Sequence, residues 1–196
     1  MGRGTIKGKA GDMSAIFVSY RRADAAGYAG RVFDALRREF GDRTVFRDVD
    51  TIESGTRFPT TIARELAECR VFIPIIGPGW VIARDVNGKR RLDNSEDWVH
   101  VEVATALKRG VCIAPVTVGG ALMPLPDELP DTLKALSQLQ RRELRDGDTW
   151  ETDLGLLIQR VASELAVPPD HASAWSSRLL ESAPGWVSWR YRGAVS

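Results

Sequence analysis

The feature that most constrains this chain is an alternation of short apolar runs with amphipathic stretches of helical period. From Ala15 to Tyr20, and again from Val71 to Ile76, most residues are apolar and many are β-branched or aromatic. Such runs fit strands buried on both faces better than half-solvated ones. Between them Ala29, Val32, Phe33, Leu36 and Phe40 recur at intervals of three and four, an apolar helical stripe that Gly41 ends. Thr44 to Arg47 predicts a short second strand, Asp48 to Arg57 a polar loop carrying Gly55, and Ile62, Ala63 and Leu66 a second helix. Pro74 is an oddity in the third strand, because proline removes a ladder donor and belongs at an edge or a strand end. Residues 77 to 95 then form a long loop, of a length that in a compact domain usually has a function. A helix is expected from about Glu96 to Arg109, a fourth strand over Val111 to Val118, and a fifth within Leu136 to Leu144. Leu154, Leu157, Ile158, Val161 and Leu165 mark a last helix, which Pro168 and Pro169 end.

Strands alternating with helices require right-handed crossovers, and hence a parallel sheet covered on both faces. Ligands of such sheets bind beyond the carboxyl ends of the strands. That rule directs attention to the loops after Tyr20, Arg47, Ile76 and Val118.

Composition excludes more than it selects. At 196 residues the chain is long enough for one domain with a sizeable core and a small appendage. Its 27 basic and 26 acidic residues leave a net charge of +1, no global field for nucleic acid or an anionic membrane. Any anion binding must be local. Cys69 and Cys112 sit in or beside apolar stretches and lack the spacing of a metal pair, so buried thiols are expected. With only His100 and His171 besides, no metal site is expected. The longest apolar run, Val71 to Ala83, is broken by prolines and glycines and is too short to span a membrane. A soluble, cytoplasmic protein is therefore expected. Neither a Gly-x-Gly-x-x-Gly turn, a Walker lysine motif nor a Gly-x-Ser-x-Gly elbow is present, which disfavours a redox Rossmann enzyme, a P-loop NTPase and an α/β-hydrolase.

Three segments in order resemble successive boxes of TIR (Toll/interleukin-1 receptor-like) domains. They are Phe17 to Arg22, Val45 to Asp50 with Glu53-Ser54-Gly55, and Trp98 to Glu102. The version here is most similar to the bacterial type and to the axon-degeneration NADases of animals, rather than to receptor-tail domains, which generally lack the glutamate. This resemblance implies a flavodoxin-like three-layer α/β fold over residues 14–167, a five-stranded parallel sheet of order 2-1-3-4-5 with helices on both faces. It also implies cleavage of the nicotinamide-ribose bond of NAD, as substrate and without a cofactor, in bacterial defence or signalling. Members commonly self-associate through TIR-TIR contacts, in which a neighbour's 48–57 loop completes the pocket. A separate sensor or effector protein would be the remaining partner. The other class the family offers is a non-catalytic scaffold.

Helix geometry bears on the glutamate independently. Val99, Val103, Ala106 and Leu107 form the core stripe of the 96–109 helix, and Trp98 and Glu102 share the neighbouring edge. An indole can stack on a nicotinamide or a base, and a carboxylate can bind a ribose diol and stabilise an oxocarbenium ion. Glu102 is thus the catalytic candidate; its duller reading is a solvated surface charge. Trp98 leads the supporting group. Arg21 and Arg22 follow the first strand, where a guanidinium could grip a pyrophosphate or serve solubility alone. Tyr20 lines the pocket or finishes the strand, and Phe58 stacks on ligand or belongs to the core. Asp48 and Glu53 shape the loop and its contacts, and His100 is expected to be exposed. Residues 1–13 read as a flexible leader. Residues 168–196, with Trp175, Trp186 and Trp189, read as an extension that either packs on the domain or contacts another subunit.

Overall fold

The computed structural model describes residues 15–47 and 60–166. Its strands are β1 (Ile16–Tyr20), β2 (Val45–Arg47), β3 (Val71–Ile76), β4 (Cys112–Ile113), β5 (Val116–Val118) and β6 (Arg142–Leu144). The helices are α1 (Arg22–Phe40), α2 (Thr60–Glu68), α3 (Trp98–Arg109) and α4 (Trp150–Ala166). All strand pairs are parallel and run in the order β2-β1-β3-β5-β6, with β4 also on β3. This is the expected flavodoxin-like α/β fold.

One expected strand, Val111 to Val118, is divided in two, and the register explains why. Val71 pairs with Cys112 and Ile75 with Val116, so Pro74 falls opposite Pro115. Pro74, whose backbone faces this pairing, has no N–H to donate, and the ladder lapses there, while the Pro115 carbonyl accepts from the Arg142 N–H on the β6 side. The Ala114 N–H still bonds the Phe72 carbonyl at 2.9 Å, which keeps β4 and β5 aligned along one path. Pro74 does not end β3. The strand continues to Ile76, with every residue buried.

Alternation along the strands sends side chains into two cores. Ile16, Val18, Ile73 and Ile75 meet α1 and α4 through residues such as Val32, Leu36, Leu157 and Val161. Phe17, Phe72 and Ile76 meet Leu66 of α2 and Val99, Val103 and Ala106 of α3. The expected stripe of α3 is therefore the one that is packed, with Leu107 half-buried beside it. The long 77–95 loop is also explained, since Trp80 and Leu92 within it are fully buried in the second core. The fifth expected strand is β6, which lies within Leu136 to Leu144 as expected. Before it, Asp131–Gln138 forms 3-10 turns, whose Leu133 and Leu136 enter the second core.

Helix ends are tied by arginines. Arg70 donates to the carbonyls of Glu164 and Leu165 at 2.8 and 2.9 Å, closing the end of α4. Arg109 donates to the carbonyls of Leu66 and Cys69, at the end of α2. Gly41 and Gly110 follow α1 and α3 at φ 92° and 64°, where a side chain would be strained. Among the described residues no helix is long and apolar enough to cross a membrane.

At the start of α4, Asp153 accepts from the Arg145 backbone at 3.1 Å and from its guanidinium at 2.9 and 2.7 Å. The Arg145 hydrogen bonds lower the Asp153 carboxyl to about 2 from its usual 3.8. A lowered carboxyl stabilises the fold in full above its unfolded value and loses that contribution as pH falls through its folded one. An Arg145→Met variant should unfold at a lower urea midpoint than wild type at pH 7. The difference should shrink as pH falls from 3.8 toward about 2. Denaturation curves at a series of pH values check this.

Candidate active site at the first turn of α3

The site is built where the N-terminus of α3 meets the carboxyl end of β1. Asp97 precedes the helix in extended conformation and its side chain accepts from the His100 N–H at 3.2 Å, an ordinary N-cap. The helix thus starts at Trp98, two residues later than expected. The same carboxylate takes both terminal nitrogens of Arg21, at 2.9 and 3.1 Å, and the Arg91 Nε at 2.8 Å. Arg21 Nε in turn donates to the Trp80 carbonyl at 3.0 Å. The Arg21 and Asp97 side chains are only 3% and 2% exposed. Removing one partner of such a buried pair costs about 3–5 kcal/mol, since it strands the other charge.

Arg21 is therefore where the sequence places it, directly after β1, but its fork faces Asp97 and Trp80 rather than an open cleft. Arg22 opens α1 and is exposed. Tyr20 is half-buried against the α1 and α4 core. Phe17 lies in the other core, so strand alternation turns Ser19, not Tyr20, toward the α3 layer. Ser19 is fully buried, and its Oγ has no hydrogen-bond partner among the described residues. The same holds for the indole nitrogen of buried Trp80. Buried polar atoms are normally paired. Neither residue carried a signal in the sequence, because serine and tryptophan in apolar runs read as filling.

Glu102 lies one turn beyond Trp98 and has 0% exposure. Its reading as a solvated surface charge is thereby overturned. Trp98 is half-buried beside it on the helix. Asp48, Glu53 and Phe58 lie outside the described residues.

His100 is corrected. It is buried, with Nδ1 at 2.7 Å from the Leu92 carbonyl and Nε2 at 3.1 Å from the Thr132 hydroxyl. A carbonyl only accepts, so Nδ1 carries the proton and, in the neutral ring, Nε2 accepts from Thr132. The histidine pins the 77–95 loop and the Asp131–Gln138 turns to α3. Helix phase alone did not reveal this, because a second layer of turns covers the face that the sheet leaves open.

The Gly77-Pro78-Gly79 turn after β3 wraps around Asp24 of α1. Asp24 Oδ1 accepts from the Gly79 N–H at 2.7 Å, and a Cβ on Gly77 would stand 2.5 Å from Oδ2. Cys69 and Cys112 are pushed up to about 11 by burial, which leaves both as thiols at neutral pH. Among the described residues no three His, Cys, Asp or Glu side chains converge as metal ligands would.

The sheet order, the capped α3 and its buried glutamate coincide with a match to the TIR domain family model over residues 16–158. The chain belongs to the TIR domain family. Among solved structures, the TIR domains of the activated Roq1 resistosome directly recognizing the pathogen effector XopQ superpose with a TM-score of 0.50 at 14% identity, over 76% of this chain and 98% of that one. A metazoan TIR-STING receptor from C. gigas, in complex with 2',3'-cGAMP, gives a TM-score of 0.48 at 18% identity, over 72% of this chain and 38% of that one. A second structure of that receptor gives 0.47 at 17%, over 79% and 41%. The first of these is a likeness of fold alone.

Replacing Gly77 by alanine should push the Asp24 carboxylate off Gly79, at a cost of about 1 kcal/mol for the lost hydrogen bond. Melting should fall by about 2–4 °C. Gly27→Ala in α1, where nothing lies within 4 Å of the added Cβ, should match or exceed wild type. Calorimetry of the two variants distinguishes a packed turn from a general intolerance of substitution.

Proposed function

We propose that this TIR domain cleaves the nicotinamide-ribose bond of NAD, with Glu102 as the catalytic carboxylate and Trp98 as a stacking surface for the substrate. The observation that carries the proposal is the fully buried Glu102, one turn from a half-buried indole, on a helix whose N-terminus is anchored at the carboxyl end of β1. A carboxylate in a low-dielectric layer is costly to maintain without a purpose. The resemblance of Trp98 to Glu102 to the box of NAD-cleaving members supplies that purpose.

In the reaction the bond from ribose C1′ to the pyridinium nitrogen breaks, and its electron pair goes to nitrogen. Nicotinamide leaves neutral and needs no proton. The positive charge appears on the ribose as an oxocarbenium ion, which a carboxylate held in place stabilises more strongly than it stabilises the substrate. Water then adds to C1′ and loses a proton, giving ADP-ribose, or a nucleophile of the substrate's own adenine or ribose adds and gives a cyclic isomer. Tyr20, Arg22, Asp48, Glu53 and Phe58 complete the proposed binding set, with Arg21 behind it. Arg21 acts in it through Asp97 rather than by touching substrate. The working form is proposed to be a cytoplasmic TIR-TIR assembly serving bacterial defence or signalling, with a separate sensor or effector as partner.

Nicotinamide release from NAD, followed by chromatography at protein concentrations that permit assembly, tests the reading. Glu102→Gln should keep the fold and its circular dichroism while the rate falls by about 10²–10³, the usual loss for one group that stabilises charge in the transition state. A Glu102→Gln protein with the full wild-type rate would overturn the enzyme and favour the scaffold, in which homotypic contacts alone signal.

A further inference from the structure

Resting on the NAD-cleaving reading, we propose that Asp97 is a positioning residue for that reaction: its carboxylate docks the first turn of α3, and with it Trp98 and Glu102, onto the end of β1. Four donors converge on this one group. They are two nitrogens of Arg21, the Nε of Arg91 and the His100 N–H. They come from three stretches of chain: the residue following β1, the 77–95 loop and α3 itself.

The geometry explains why a charge is used where a cap alone would start the helix. One N-cap hydrogen bond leaves the helix free to swing about it. A guanidinium fork against a carboxylate fixes direction and plane as well as distance. The fork is itself immobilised, because Arg21 Nε is held by the carbonyl of Trp80, whose own side chain is fully buried. The orientation of α3 is thus inherited from β1 and from a loop anchored in the core. Glu102 stands five residues beyond Asp97, roughly 7.5 Å along the axis at helical rise. A small tilt at the cap therefore becomes a displacement at the carboxylate, and about 1 Å of misplacement can cost about 100-fold in rate.

Charge can be removed without stranding a buried partner. Arg21→Met with Asp97→Asn deletes both members of the pair while the asparagine keeps the cap, and Arg91, 42% exposed, keeps solvent. Hydrogen exchange and nicotinamide-release kinetics are then read on the full chain. In the double variant β1 and β3 should exchange as in wild type, while the amides of His100, Val101 and Glu102 exchange about tenfold faster. In the same protein kcat should fall about 10–100-fold, with KM for NAD changed less than about twofold. Arg91→Gln, which leaves the buried pair intact, should move exchange and kcat the same way by a smaller factor. A pair that served only stability would lower the urea midpoint and leave kcat of the folded protein unchanged. Wild-type protection of those amides, or an unchanged kcat, overturns the proposal. If instead Glu102→Gln keeps the full rate, the proposed function falls while the exchange measurement still decides whether Asp97 docks the helix.

Discussion

The buried contact between Asp97 and Arg21 is the joint on which the start of the third helix depends. It places a charge pair where neither member can be solvated, so each is committed to the other. Through it the end of the first strand, a loop that passes through the core and the start of the third helix become one rigid corner. The helix then carries an indole and a carboxylate at successive turns, and their direction is set by this corner rather than by helix propensity.

A second constraint runs through the middle of the sheet. Pro74 lies opposite Pro115, between β4 and β5, and has no N–H to donate to that path. The sheet tolerates the gap because the strands keep one register on either side of it, and because both sheet faces are covered. Apolar burial from Phe72 to Ile76 compensates for the missing hydrogen bonds. The interruption leaves the strand order unchanged.

Most of the architecture was legible in the chain. Strands buried on both faces read as continuous apolar runs, and helices packed on one face read as stripes, so β1, β3, α1, α3 and α4 stood out. Their order then follows from the handedness of crossovers and the family pattern. Less legible were elements without such periodicity. Residues 131–138 form 3-10 turns whose leucines, three apart, suit an α-helix equally well, and the split of the fourth strand requires knowing which residue lies across from Pro115. For the candidate site, the phase of α3 placed Trp98 beside Glu102 and Val99 and Val103 against the sheet, as the structure has them. The phase also put His100 in solvent, which the turns around Thr132 contradict.

What the sequence determined by itself was local: which segments are strands, which helical face is apolar, and that a carboxylate follows an indole by one turn. Such properties depend on residues a few positions apart, and periodicity records them. The tertiary structure alone decided that Glu102 is buried rather than solvated, that Arg21 faces Asp97, and that Ser19 rather than Tyr20 turns toward α3. Each of those depends on contacts between residues far apart in the chain, such as Arg21 with Trp80 and Asp97 or His100 with Thr132. A pattern read along one dimension has no record of which distant surface closes over a side chain.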